Sequence, residues 1–220
     1  MATTATTLTT GEVRLSYLHV FQPYAQQQGA EPKYSTTILL PKTDAATKSA
    51  IDAAIRAAIE DGVSRKWQGV RPPQPSICVH DGDGGRPSDG LPFSDECKGH
   101  WVFTASNKNQ PFVVDANVQP ILQQGEVYSG MYGRVNVTFF AYANSGKKGV
   151  GCALNGIQKT RDGEPLGSRV TAEEAFGAAA PGTPAGAVSP ATAPPAYPTA
   201  HGYAPPAAAP SFPSGYDPFS

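Results

Sequence analysis

The sequence predicts a mainly β protein: a small, partly open antiparallel barrel with one amphipathic helix, followed by a disordered Ala/Pro-rich tail. Three observations carry that expectation. Several segments alternate apolar and polar residues at the period of a strand, one segment alone has the period of a helix, and the composition breaks after Phe176. Beyond the break, residues 178–220 hold 11 of the 22 prolines and one charged side chain, Asp217. So little apolar surface cannot offset the entropy of ordering the chain. The expected organisation is a flexible N-terminus over 1–10, one folded domain over 11–176 and a disordered tail over 177–220. A body of about 175 residues is enough for one core.

The strands come first. Glu12–Phe21 begins with Val13, Leu15 and Tyr17 on one face and Arg14 and Ser16 on the other. Lys33–Leu40 is rich in β-branched residues and closes on Pro41, which cannot donate to a ladder. The period then changes: Thr43 or Asp44 can cap a helix in which Ile51, Ile55 and Ile59 recur every fourth residue beside Ala54 and Ala58, with Gly62 as its end. That isoleucine stripe is expected to pack on a sheet. Residues 69–99 read as a long irregular region with one apolar run, Ser76–His80. Strand character returns at His100–Ala105, Pro111–Asp115 and, longest, Met131–Ala143, where Gly133 suggests a bulge or a close approach. Asn144-Ser145-Gly146-Lys147 reads as a hairpin turn into a partner strand near Gly149–Leu154. No period of a repeat fold is visible.

Charge and composition narrow the function classes. The chain has 17 basic and 18 acidic residues, and with Asp217 in the tail the body is balanced, so bulk attraction to polyanions is not expected. No apolar run is long enough to span a bilayer, and Met1–Thr10 lacks the basic and apolar regions of a signal peptide. Three cysteines without CxxC spacing fit a reducing compartment, the cytoplasm. Phosphate-loop, dinucleotide, serine-elbow and HExxH patterns are missing, so neither an enzyme activity nor a cofactor is expected.

Two constellations could hold a metal. Asp81 and Asp83, in His80-Asp81-Gly82-Asp83-Gly84-Gly85 with Asp89 and Asp95 beyond, offer clustered oxygens, but fail the EF-hand pattern and read as a solvated turn. Cys78 and His80 with Cys97 and His100 supply four side chains that zinc favours, but Cys78-x-His80 is too tightly spaced and buried apolar cysteines are the plainer reading. No metal is expected.

A better signal is the interleaving of rings and cations on strands and turns: Lys33, Tyr34, Trp101, Phe103, Lys108, Tyr132, Arg134, Phe140, Tyr142, Lys147 and Lys148. A binder of single-stranded nucleic acid needs flat rings for the bases and cations along the phosphates. The competing reading is that Phe and Tyr at period two are half of a β core. The long strand separates the two readings. Its odd positions Val135, Val137, Phe139 and Ala141 read as core, while Tyr132, Arg134, Asn136, Thr138, Phe140 and Tyr142 should face outward.

The chain also resembles a phage family of single-stranded-DNA-binding proteins. The resemblance rests on Arg14-Leu15-Ser16-Tyr17 leading to Phe21, Tyr34-Ser35-Thr36-Thr37-Ile38-Leu39-Leu40-Pro41-Lys42, the Ala/Ile helix and Asp81-Gly82-Asp83. It continues through Tyr128-Ser129-Gly130-Met131-Tyr132, Asn155-Gly156-Ile157-Gln158-Lys159 and Asp162-Gly163-Glu164-Pro165-Leu166-Gly167, so that it covers about residues 11–176. It implies an OB-like barrel that binds single-stranded DNA without strong sequence preference in phage replication or recombination, in the cytoplasm of the bacterial host. With the turn signal at Asp162-Gly163, it also suggests that Lys159 and Arg161 contact phosphate. The tail differs from the acidic tails common among such proteins, but its tip, Tyr216, Asp217, Pro218 and Phe219, is expected to dock replication or recombination proteins. The alternatives are a metal-dependent nuclease using Asp81 and Asp83, and a structural virion protein.

Overall fold

A computed structural model of the protein describes residues 6–25, 29–144 and 146–166. The expectations placed on the tail, Tyr216, Asp217, Pro218 and Phe219 included, lie outside these residues. Among the described residues there are nine strands: β1 (Thr7–Thr9), β2 (Val13–Tyr24), β3 (Lys33–Pro41), β4 (Ser76–Ile77), β5 (His80–Asp81), β6 (His100–Asn107), β7 (Phe112–Val114), β8 (Tyr132–Asn144) and β9 (Lys147–Arg161). The one α-helix among these residues, α1 (Ala45–Arg65), joins β3 to the irregular region. They form a single open sheet in the order β4-β9-β8-β2-β3-β6-β5, with β1 added to β8 and β7 to β9. The fold is mainly β and OB-like, as expected.

The sheet curls until β6 meets β9, and there a side chain takes over from the ladder: Asn107 Nδ2 donates to the Leu154 carbonyl at 2.9 Å. Phe103 from β6 and Phe139 from β8 meet inside, ring centroids 6.3 Å apart. Around them lie Val13, Leu15, Ile38, Leu40, Val135, Val137, Leu154 and Ile157. The helix closes one side. Asp44 caps it by accepting from the Thr47 amide at 2.9 Å, and Ile51, Ala54, Ile55, Ala58 and Ile59 are buried. Each isoleucine so buried contributes about 1.5–3 kcal/mol.

Several sequence expectations need correction. Thr7–Thr9, expected to be flexible, pairs with β8 from Thr7↔Thr138 to Thr9↔Asn136. The sheet is not wholly antiparallel, because β4 and β7 both run parallel to β9. The partner strand expected near Gly149–Leu154 is longer, running as β9 from Lys147 to Arg161. Gly62 does not end the helix, which runs to Arg65; it lies where the helix packs tightly against Ala141 of β8. A Cβ there would overlap that of Ala141 and sit 3.2 Å from the Trp67 ring. Trp67 is itself anchored by Nε1 donating to the Tyr142 carbonyl at 3.0 Å. No described helix is long and apolar enough to cross a membrane.

Replacing glycine by alanine inside a helix normally stabilises it by about 1 kcal/mol. At Gly62 overpacking costs about 1–3 kcal/mol and prevails. Gly62→Ala should therefore lower the urea midpoint; a raised midpoint would contradict the close approach of α1 to β8.

Candidate nucleic-acid interface

The burial of β8 alternates as its sequence predicts: Gly133, Val135, Val137, Phe139 and Ala141 are buried, and the even positions are at least partly exposed. On β3 and β6 the corresponding outward residues are Ser35, Thr37, Thr104 and Ser106, with Thr37 and Thr104 hydroxyls 3.1 Å apart. These outward faces border a trough made of two adjoining concavities that share Tyr24, Ser35 and Thr104. At one end it is lined by Tyr17, His19, Tyr24, Ser35, Thr37 and Thr104. It continues past Lys33, Cys78 and Ser106 to Phe140, Tyr142, Asn144, Gly151 and Cys152.

The trough is studded with rings. Tyr17 is 65% exposed, Tyr24 53% and Phe140 44%. His19 and Tyr24 stack with centroids 4.5 Å apart and planes at 13°. Phe140 lies over Gly151, its registered partner on β9, where a Cβ would come within 2.8 Å of the ring. Tyr17 reaches the trough by a backbone inversion. Alternation from Val13 and Leu15 predicts it inward, but its φ is +48° and the β2–β3 register shifts between Ser16 and His19. The buried Thr36 hydroxyl holds the distortion by donating to the Ser16 carbonyl at 3.1 Å. A left-handed non-glycine residue is held only where its surroundings enforce it, and such residues concentrate at functional sites.

The trough floor carries no anionic thiol. Burial pushes Cys78 up to about 11 and Cys152 well above the ordinary thiol value. Glu31, on the rim, is neutralised by Lys108 at 2.8 Å. Lys33 lines the trough and Lys147 and Lys148 are exposed at its end, where Lys147 is registered with Asn144.

The sequence-predicted residues divide accordingly. Lys33, Phe140, Tyr142, Lys147 and Lys148 come together at the trough, while Tyr34 takes the opposite face of β3 from Lys33 and Ser35. Phe103 is corrected outright: it is 1% exposed, a core ring that cannot stack on a ligand. Trp101 is also displaced, since it shares Phe103's inward face of β6. It is half-buried beside α1, with Lys48 Nζ 4.5 Å and Lys42 Nζ 5.3 Å from its ring centroid. Tyr132 lies under Arg161, 3.5 Å from guanidinium carbon to ring centroid. Arg161 in turn is bound by Glu12 through Nε at 3.0 Å and Nη2 at 2.9 Å. Lys159 donates to the Glu126 carbonyl at 2.8 Å and pairs with Asp162 at 2.7 Å. Both of these cations occupy the end of β9 far from Lys147 and Lys148. Arg134 borders a separate concavity beside Phe112.

Neither metal constellation assembles. Lys42 Nζ sits between the carboxylates of Asp81 at 2.5 Å and Asp83 at 2.6 Å, and this cation holds both carboxyls below their ordinary pKa. Cys97 belongs to a small cluster with Leu39 and Val102, and His100 Nδ1 meets the Lys98 carbonyl at 2.7 Å. Among the described residues no three His, Cys, Asp or Glu side chains converge on a metal position.

Known proteins resemble this arrangement. The family described as Enterobacter phage Enc34, ssDNA-binding protein, matches residues 6–184. A protein named p50 from Acyrthosiphon pisum secondary endosymbiont phage 1 is 33% identical over 175 residues, 74% of this chain and 89% of that protein. Among solved structures, the single-stranded-DNA-binding protein of bacteriophage Enc34 in complex with ssDNA is 30% identical. It superposes with a TM-score of 0.64 over 74% of this chain and 90% of its own. The gp2.5 single-stranded-DNA-binding protein of bacteriophage T7 shares the fold at 13% identity, with a TM-score of 0.52 over 82% of this chain and 98% of its own.

The Glu12–Arg161 pair gives a pH signature. Hydrogen bonds from Arg161 first, then Thr160, hold the Glu12 carboxyl below its ordinary value of 4.5. A depressed carboxyl contributes stability that is present above the unfolded-state pKa and lost as pH falls through the folded one. The Tm deficit of Glu12→Gln should be full above pH 4.5 and fade below it; a deficit that does not change with pH would contradict the pairing.

Proposed function

We propose, from the premise that this chain belongs to the Enterobacter phage Enc34 family of single-stranded-DNA-binding proteins, that its trough binds single-stranded DNA without strong sequence preference. It does so in phage replication or recombination, in the host cytoplasm, as a binder and not an enzyme. The observation that carries the reading is the coincidence of exposed rings with uncommitted cations. Among the described residues Lys33, Lys147 and Lys148 have no carboxylate at ion-pair distance, whereas Lys108, Lys159 and Arg161 do. Free ammonium groups in the same trough as Tyr24 and Phe140 suit a strand whose bases are unpaired, because only then do their flat faces reach a ring. Lys159 and Arg161, already neutralised, are left out of this surface. The nuclease alternative is disfavoured because Lys42 occupies both of its carboxylates.

The account predicts a graded loss of affinity. Phe140→Ala should cost about 1–3 kcal/mol, the value of one stacked base. Lys147→Glu with Lys148→Glu should weaken binding and flatten the plot of log affinity against log salt by about 1.4, since each phosphate contact on a single strand accounts for about 0.7. An unchanged slope would remove the hairpin from the site.

The tail is proposed as the arm that docks replication or recombination proteins through Tyr216, Asp217, Pro218 and Phe219. Its sequence offers almost no charge to phosphate. Truncation after Phe176 should leave Tm unchanged and alter affinity for single-stranded DNA by less than about tenfold, while abolishing partner recruitment. Unfolding of the truncated chain would contradict this division.

A further inference from the structure

Phe140 is not the only exposed ring laid on a glycine of β9. Phe112 opens β7, is 57% exposed and is registered with Gly156; a Cβ on that glycine would overlap the ring. Gly151 and Gly156 are five residues apart, about 16 Å along a strand. Both rings lie on the same face of the sheet. The β8–β9 register shifts after Asn136, so that Asn155 and Gly156 both turn outward between the inward Leu154 and Ile157.

Between the two rings the surface is low and polar. Asn155 Nδ2 donates to Asn136 Oδ1 at 2.8 Å and to Thr138 Oγ1 at 2.9 Å, and Asn136 Nδ2 donates to Thr9 Oγ1 at 2.9 Å. At the far end Arg134 borders the concavity with Phe112. Its Nε donates to the Thr10 carbonyl at 3.3 Å, the residue is exposed, and no described carboxylate pairs with it. Asp115, close in sequence, has its carboxylate turned to its own loop, accepting the Asn117 and Gln119 amides at 2.8 Å each.

We infer that Phe112 and Arg134 form a second nucleotide platform, where a base stacks on the Phe112 ring and Arg134 holds a neighbouring phosphate. The strand leaving the trough over Phe140 continues along the outward face of β8 and β9. This rests on the reading of the trough as a single-stranded-DNA site and lengthens it. Charge and continuity select the occupant: an unpaired guanidinium beside a ring, joined to the trough by a track without bulky side chains, matches a nucleic acid backbone.

The test uses the full chain with oligothymidylates of six and twenty nucleotides. Phe112→Ala should weaken binding of the long probe at least fivefold more than of the short one. Phe112→Trp, which keeps a ring, should restore the long-probe affinity. Arg134→Ala should flatten the salt dependence for the long probe. Equal losses for both probes, or no loss for either, overturn the platform; in the latter case the exposed Val118 in the same concavity points to a protein contact instead. Failure of the unaltered chain to bind either probe overturns the trough reading itself, a separate outcome.

Discussion

The long antiparallel pairing of β8 with β9 is the constraint on which the rest depends. One side of this ladder supplies Val135, Val137, Phe139, Leu154 and Ile157 to the core, and the other presents Phe140, Tyr142 and the small residues of the outward face. Because side chains alternate, a slip of one residue would exchange the two sets. Core packing therefore fixes the proposed binding face as well: Phe139 against Phe103 holds the register that leaves Phe140 in the trough. The helix strengthens the same constraint by bringing Gly62 against Ala141, and Trp67 ties its end to the Tyr142 carbonyl.

The proposed interface is built where regular geometry is broken. The left-handed Tyr17 and the β2 register shift swing a tyrosine out of the core series, and the bulge at Asn155 and Gly156 turns two successive residues outward. Glycines 151 and 156 leave room for rings to lie against the sheet. Flat, partly exposed rings cost little side-chain entropy on binding, which suits an interface that must accept any base. The cations obey a matching division. Arg161 with Glu12 and Lys42 with Asp81 and Asp83 are tied into the fold, whereas Lys33, Lys147 and Lys148 at the trough have no carboxylate at ion-pair distance among the described residues.

Much of this was legible in the sequence because it followed from local period. The isoleucine stripe of α1, the Asp44 cap and the two faces of β8 are patterns within one segment. Tyr17 was not legible, since alternation assigns it to the core and no residue type announces a left-handed tyrosine. Trp101 and Phe103 looked like stacking rings because rings on a strand look alike; only the pairing Ile38↔Phe103 gives β6 its inward face. Arg161 looked available because Glu12, which binds it, lies 149 residues away in sequence, whereas the Asp162 that pairs with Lys159 is a sequence neighbour. The resemblance to a phage family supplied the ligand class, which composition with a balanced charge could not.

The central claim is that single-stranded DNA lies on the outward face of the sheet and not beside the helix. Photocrosslinking of iododeoxyuridine-substituted single-stranded DNA to the full chain, followed by peptide mapping, tests it most directly. The account predicts adducts at Tyr17, Tyr24 and Phe140 and none at Trp101, which lies beneath Lys42 and Lys48. Adducts concentrated on Trp101 with the trough rings unmodified would contradict it.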